Sequence, residues 1–336
     1  MSNRSKLSRV SLRAHAKEAA IAAVAVVSCA VLAGCGLQSA SGAVLTADPG
    51  SIKKYDSLDG VSLTVAAKDF TEQLVLGNMM STVLATAGAD VTNLTNTPGS
   101  FGVRQAVLKG DVDIAPEYTG TGWISYLGNA KPVKGAKAQW QAVLKADKKN
   151  GLTWLPPAPM NNTYAFAIRE EKGKELDITK LSQLKGLPKE ELTFCVESEF
   201  ASRNDGFEPM LKAYGLELGK SVPKNQVTTL DTGVVYTATA NGDCNFGEVF
   251  TTDGRIPGLK LRVLEDDKEF FPLYNLTEVI QTDVLKDHPE IGDIFAKINP
   301  KLTNETMLEL NAKVDSGGED PAIVARDWLK KEGFVT

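Results

Sequence analysis

Hydrophobic positions along this chain follow two spacings, every second residue in short runs and every third or fourth in longer ones, and their alternation predicts an α/β body. Val61 to Ala67 reads as a strand, followed by a helix from Thr71 through Ala87, whose apolar stripe includes Leu76, Met79, Met80, Val83 and Leu84. Asp90 to Thr95 gives a second strand, and Thr97 or Ser100 is placed to cap a helix from Val103 to Lys109 that stops at Gly110. Asp113-Ile114-Ala115 is then a short strand, stopped by Pro116. In doubly wound sheets ligands sit beyond the carboxyl ends of strands, which directs attention to Lys68 to Gln73 and to Pro116 to Thr121.

After the turn Pro156-Pro157-Ala158-Pro159 a second cycle begins. Thr163 to Ile168, Leu192 to Glu197, Val227 to Leu230 and Cys244 to Phe250 read as strands, with helices at Gly206 to Tyr214 and Val234 to Asn241. Lys260 to Leu264 and Val279 to Thr282 are expected to extend that second sheet. Three helical segments close the chain, around Ile291 to Ile298, Asn304 to Val314 and Pro321 to Lys331. The pattern predicts a two-lobed clamshell, each lobe a doubly wound sheet flanked by helices. Residues 61–162 and 283–336 are expected to form lobe 1, and residues 163–282 lobe 2. Such a body grips a small ligand between its lobes.

The N-terminus has a different pattern. Arg4, Lys6, Arg9, Arg13 and Lys17 precede an apolar run over residues 19–32, too short for a comfortable membrane span. It ends in Leu32-Ala33-Gly34-Cys35, which resembles the lipobox of bacterial lipoproteins. The resemblance implies removal of residues 1–34, lipidation of Cys35 and residence on the extracytoplasmic face of the cell membrane. Residues 36–59 are rich in Ser, Gly, Ala and Asp, so residues 35–60 are expected to be a flexible tether, with order beginning near Val61.

Charge and composition narrow the chemistry. The 336-residue chain has 37 basic and 42 acidic residues, and loss of the leader's five bases and one acid leaves 32 against 41. An acidic exported body argues against a nucleic-acid partner. The two histidines are His15, in the leader, and His288, in a polar turn, so neither a histidine base nor a histidine metal site is indicated. No nucleotide-cradling or nucleophile motif occurs, and we expect no enzyme, no metal and no cofactor. Cys195 and Cys244 remain in the body, either as a disulfide or as two buried thiols.

The segments KDFTEQLVLGNM (68–79), GDVDIAPEYTGTGW (110–123), NNTYAF (161–166), the Glu199 to Gly206 stretch with Arg203, TTDGRI (251–256) and DDKEFFPLYN (266–275) follow one another in order. Together they resemble the glycine betaine/carnitine/choline substrate-binding lipoproteins of ABC importers, and the resemblance covers residues 61–333. It implies a type II periplasmic-binding-protein-like clamshell, a quaternary amine ligand, and an ABC permease with its ATPase subunit as partners of a monomer. Carried onto this chain, the family's aromatic box falls on Tyr118, Tyr164, Phe250 and Tyr274, with Phe250 standing where the family usually has Tyr. Lys68, Thr121 and Arg203 match positions that receive the ligand's carboxylate, and Asn162 supports the tyrosine two residues on. Arg203 has a second reading as an interlobe or surface ion-pair residue, Glu117 reads as counter-ion, backbone partner or hinge closer, and Trp123 as packing. Two other readings remain open: a binding protein of the same shape for an amino acid or a betaine-like thione, and an exported two-lobed enzyme.

Overall fold

The computed structural model describes residues 42–336; Cys35 and the leader lie outside the described residues. Two five-stranded mixed sheets form the body. In the first lobe β1 (Ser62–Lys68) leads into α1 (Thr71–Thr86), β2 (Asp90–Thr97), α2 (Ser100–Lys109) and β3 (Ile114–Tyr118). Further on, α3 (Ala136–Asp147) is followed by β4 (Leu152–Trp154). Strand order is β2-β1-β3-β10-β4, with β1 parallel to β2 and β3.

The second lobe contains β5 (Tyr164–Arg169), β6 (Phe194–Glu197), α4 (Ser198–Ser202), α5 (Phe207–Ala213), β7 (Val227–Leu230), α6 (Thr232–Asn241), β8 (Phe246–Phe250) and β9 (Leu261–Val263). Its order is β7-β6-β8-β5-β9, with β6 parallel to β7 and β8 and β5 antiparallel to β8 and β9. Cys195 and Cys244 are joined by a disulfide across a Cα separation of 5.8 Å. The chain then returns through β10 (Leu276–Gln281) to the helices α7 (Glu290–Ile298), α8 (Asn304–Asp315) and α9 (Pro321–Lys331).

Four sequence expectations are corrected. Val279 to Thr282 does not extend the second sheet, because β10 inserts antiparallel between β3 and β4 of the first. Lobe 2 therefore ends before Leu276, since a six-residue strand such as LTEVIQ carries no mark of which sheet it joins. Pro116 does not stop β3, which runs on to Tyr118 against β10: the bonds between these strands fall on alternate residues, from Asp113 with Gln281 to Thr119 with Asn275, so the residue that lacks an N–H is not called on to donate to β10. Ordered packing begins well before Val61. Ile52 and Leu58 are fully buried, and the backbone of residues 48–52 hydrogen-bonds with residues 333–336. Two isolated apolar residues give no periodicity, so this docking was invisible in the sequence. Last, α2 starts at Ser100 after Gly99, whose φ of 67° suits glycine, and neither Thr97 nor Ser100 caps it.

Two segments cross between the lobes, residues 155–163 and 264–275. They run side by side, with an antiparallel bridge between Asn161 and Asn275 and a bond from the Asn162 N–H to the Tyr274 carbonyl at 3.2 Å. The carboxyl ends of β1, β3, β6 and β8 all point at the space beside this double crossover, the place where such sheets receive ligands.

Candidate functional site

A cavity of about 400 Å³ opens between the lobes. Of the eight ligand-site residues expected from sequence, seven line it: Lys68, Tyr118, Thr121, Asn162, Tyr164, Phe250 and Tyr274. Strand register explains the pairing of two of them, because Tyr164 opens β5 directly opposite Phe250 at the end of β8. Tyr118 ends β3, and Tyr274 stands in the second crossover. Gly120 is the close-approach residue of PEYTGT: a Cβ there would meet the Tyr274 ring at 2.7 Å.

Phe70 is a fifth ring that sequence reasoning passed over. It follows β1 at the carboxyl end of the strand, so its position in the KDFTEQ segment was the available signal. It links the others into one wall, with ring centroids 5.1 Å from Phe250 and 6.4 Å from Tyr118. Tyr164 continues that wall, 5.4 Å from Phe250 and 5.2 Å from Tyr274, edge-on to the latter. Lobe 1 thus supplies Phe70 and Tyr118, lobe 2 supplies Tyr164 and Phe250, and the crossover supplies Tyr274.

Buried carboxylates hold the hydroxyls. Tyr118 donates to Glu72 Oε1 at 2.6 Å, and Tyr274 donates to Asp205. Glu72 also accepts from Asn162 at 2.9 Å, from the Thr252 hydroxyl at 2.5 Å and from Asn311 at 3.3 Å, so one side chain ties the Tyr118 ring, a crossover and the second lobe together. Burial pushes the Glu72 carboxyl up from its ordinary value, against the pull of these hydrogen bonds. Burial likewise holds Tyr118, Tyr164 and Tyr274 well above the usual phenol range, so the rings stay neutral.

Arg203 does not line the cavity, which corrects its expected role as a ligand contact. Its guanidinium binds Asp205 through Nε at 2.7 Å and Nη2 at 2.9 Å, and Nη1 donates to Glu199 at 3.2 Å. The same group lies 5.2 Å from the Tyr164 ring centre and 5.8 Å from that of Tyr274, bracing both rings from behind. Its partner Asp205, only two residues away, satisfies the fork before any ligand arrives. Lys68 does reach the cavity, but its Nζ is bound to Glu117 Oε1 at 2.7 Å and sits 5.1 Å from the Tyr118 ring centre. Glu117 thereby neutralises Lys68 and also accepts from the Tyr118 amide at 2.8 Å. Trp123 donates to the Lys131 carbonyl and packs outside the cavity.

Glu199 was legible only as part of a motif. Its Oε2 accepts from the Ser100 N–H at 3.0 Å, so a carboxylate of lobe 2 supplies the cap that α2 of lobe 1 lacks. Burial raises its pKa, but the Lys68 charge and the Ser100 bonds outweigh that and hold it below the ordinary glutamate value. Among the described residues no group of His, Cys, Asp and Glu is placed to hold a metal ion.

Comparison with known proteins places residues 61–331 on the family model described as the substrate binding domain of ABC-type glycine betaine transport system. A glycine-betaine-binding protein of Pseudomonas aeruginosa is 38% identical over 282 residues, 82% of this chain and 89% of the relative. A carnitine transport binding protein of Listeria monocytogenes is 31% identical over 277 residues, 81% of this chain and 87% of the relative. Among solved structures, a glycine betaine/carnitine/choline ABC transporter protein superposes with a TM-score of 0.66 at 28% identity, covering 82% of this chain and 99% of its own.

Proposed function

Because the chain belongs to the family of substrate binding domains of ABC-type glycine betaine transport systems, we propose that it captures a quaternary amine in the interlobe cage and hands it to an ABC permease driven by a separate ATPase. In this reading Cys35 is lipidated and anchors a monomer to the extracytoplasmic face of the cell membrane. The relatives' names, glycine-betaine-binding and carnitine transport binding, support the ligand class.

The observation that carries the proposal is the continuous wall of five rings around one cavity, drawn from both lobes and the crossover. A quaternary ammonium has no N–H, so hydrogen-bond acceptors cannot seize it, and its methyl shell keeps carboxylates at a distance. Aromatic faces attract the spread charge and desolvate the methyls, each contact contributing about 0.5 to 2 kcal/mol. Because the rings come from both lobes, closure and binding are one event.

A thermal-shift screen of glycine betaine, choline, carnitine, amino acids and a betaine-like thione tests the reading. A quaternary amine at a hundredfold over its Kd should stabilise the protein by about 2.7 kcal/mol. A shift with amino acids and none with any quaternary amine would overturn it.

A further inference from the structure

The rings explain attraction for a cation, while the charged groups around them bear on what else the ligand can carry. Four carboxylates line the cavity, those of Asp69, Glu197, Glu199 and Asp231, against the single cation Lys68. That cation is already held by Glu117. Helix starts and nearby amides are where a ligand carboxylate would ordinarily be received. At α2 and α4 the protein's own acids occupy them. Glu199 takes the Ser100 amide at the start of α2, and Asp69 takes the Gly99 amide at 3.3 Å. Glu197 takes the amides of Glu199 and Phe200 at 2.9 and 3.0 Å, at the start of α4. Asp231 precedes α6 without capping it, so what that helix start sets against a ligand carboxylate is the charge of Asp231 and no hydrogen bond. Arg203, the best carboxylate fork nearby, is engaged by Asp205 and Glu199.

We propose, resting on the quaternary-amine reading, that this cavity selects a quaternary ammonium without a carboxylate, an amino alcohol of the choline type, over zwitterions such as glycine betaine or carnitine, and that Glu199 sets the preference. A zwitterion entering the cage brings its carboxylate among four others, or must displace Glu199 from both Ser100 and Arg203. A cationic alcohol meets neither obstacle, and the surrounding acids add to its attraction. Glu199 is the determinant because it is the acid that bridges the lobes over the cavity, partly exposed and aligned by Arg203. One unit charge acting across a closed cleft corresponds to about tenfold in affinity.

Titration calorimetry with choline, glycine betaine and the neutral isostere 3,3-dimethylbutan-1-ol tests this on the wild-type protein and on Glu199→Gln, whose amide oxygen still accepts from Ser100. The expected result is choline bound about tenfold or more tighter than glycine betaine, with that ratio falling about tenfold in Glu199→Gln. The isostere's affinity should stay the same, which a merely structural defect would not allow. Glycine betaine bound as tightly as choline by the wild type overturns the preference and leaves the quaternary-amine reading standing. An unchanged ratio in Glu199→Gln overturns the role of Glu199. Failure of both amines to bind overturns the functional reading itself, and this inference with it.

Discussion

The two lobes have the same wiring but are braced by different means. Each sheet sets three parallel strands beside an antiparallel one, yet that strand comes first in lobe 2 (β5) and last in lobe 1 (β10). Lobe 2 backs its cavity-lining rings with phenyl groups: Phe200 lies 4.7 Å from Tyr164, and Phe166, Phe194, Phe207 and Phe246 continue the cluster. The Cys195–Cys244 disulfide cross-links the same sheet on its opposite face. Lobe 1 has an aliphatic core around Val65, Leu76, Val83 and Leu84, and its cavity-lining Tyr118 is held by the polar hub at Glu72. Dispersion and a covalent staple make one wall rigid by itself. The other wall is oriented by hydrogen bonds that reach the crossover and the second lobe, so its geometry depends on how the lobes sit.

The contrast breaks first at the disulfide. Replacing Cys195 and Cys244 together by Ala should cost about 2 to 4 kcal/mol of stability, and hydrogen exchange should speed up in β6 and β8 while β1 and β3 keep their protection. Equal loss of protection in both sheets would mean that the lobes unfold as one unit and that the bracing difference has no thermodynamic weight.

Next comes Glu72. Glu72→Ala leaves the Tyr118 hydroxyl, Asn162, Thr252 and Asn311 without their shared acceptor, at a cost of about 1 to 3 kcal/mol. Quaternary-amine affinity should fall about tenfold while exchange in β6 and β7, which Glu72 does not touch, stays unchanged; wild-type affinity would show that Tyr118 needs no hub.

The smallest effect, per pH unit, separates the lobes by their buried acids. Burial, reinforced by neighbouring Glu197, pushes Glu248 of lobe 2 up to about 8, and burial pushes Glu278 of lobe 1 up to about 7. In each case the folded state holds the proton more tightly than the unfolded chain. The resulting stability is present below the unfolded value and is lost as pH rises, up to about 8 for Glu248 and about 7 for Glu278, by at most about 1.4 kcal/mol per pH unit for each. Denaturant titrations of Glu248→Gln and Glu278→Gln between pH 5 and 9 should each remove part of that slope, with the lobe 2 variant flattening it to higher pH. Parallel curves for wild type and variants would contradict both assignments.

How far the sequence could be read follows the same division between local and tertiary causes. Strand-helix alternation, the start of α1 and the aromatic positions beside the cavity were legible because each rests on a local pattern or on an ordered motif at a strand's carboxyl end. Phe70 had that signal and was passed over. The sheet that receives β10, the burial of Ile52 and Leu58 and the cap that Glu199 gives α2 had none, because each is decided by a partner dozens of residues away or more. Arg203 shows the intermediate case. Its motif marks it as important, but only the position of Asp205 and the two rings shows that it braces the cage and does not line it.

The central claim is that rings from both lobes and the crossover share one quaternary ammonium. Titration calorimetry of the tightest-binding quaternary amine against wild type, Tyr118→Ala, Tyr164→Ala and Tyr274→Ala tests it directly. Each variant should lose more than about tenfold in affinity, the equivalent of about 1.4 kcal/mol per ring. Wild-type affinity in all three would contradict it.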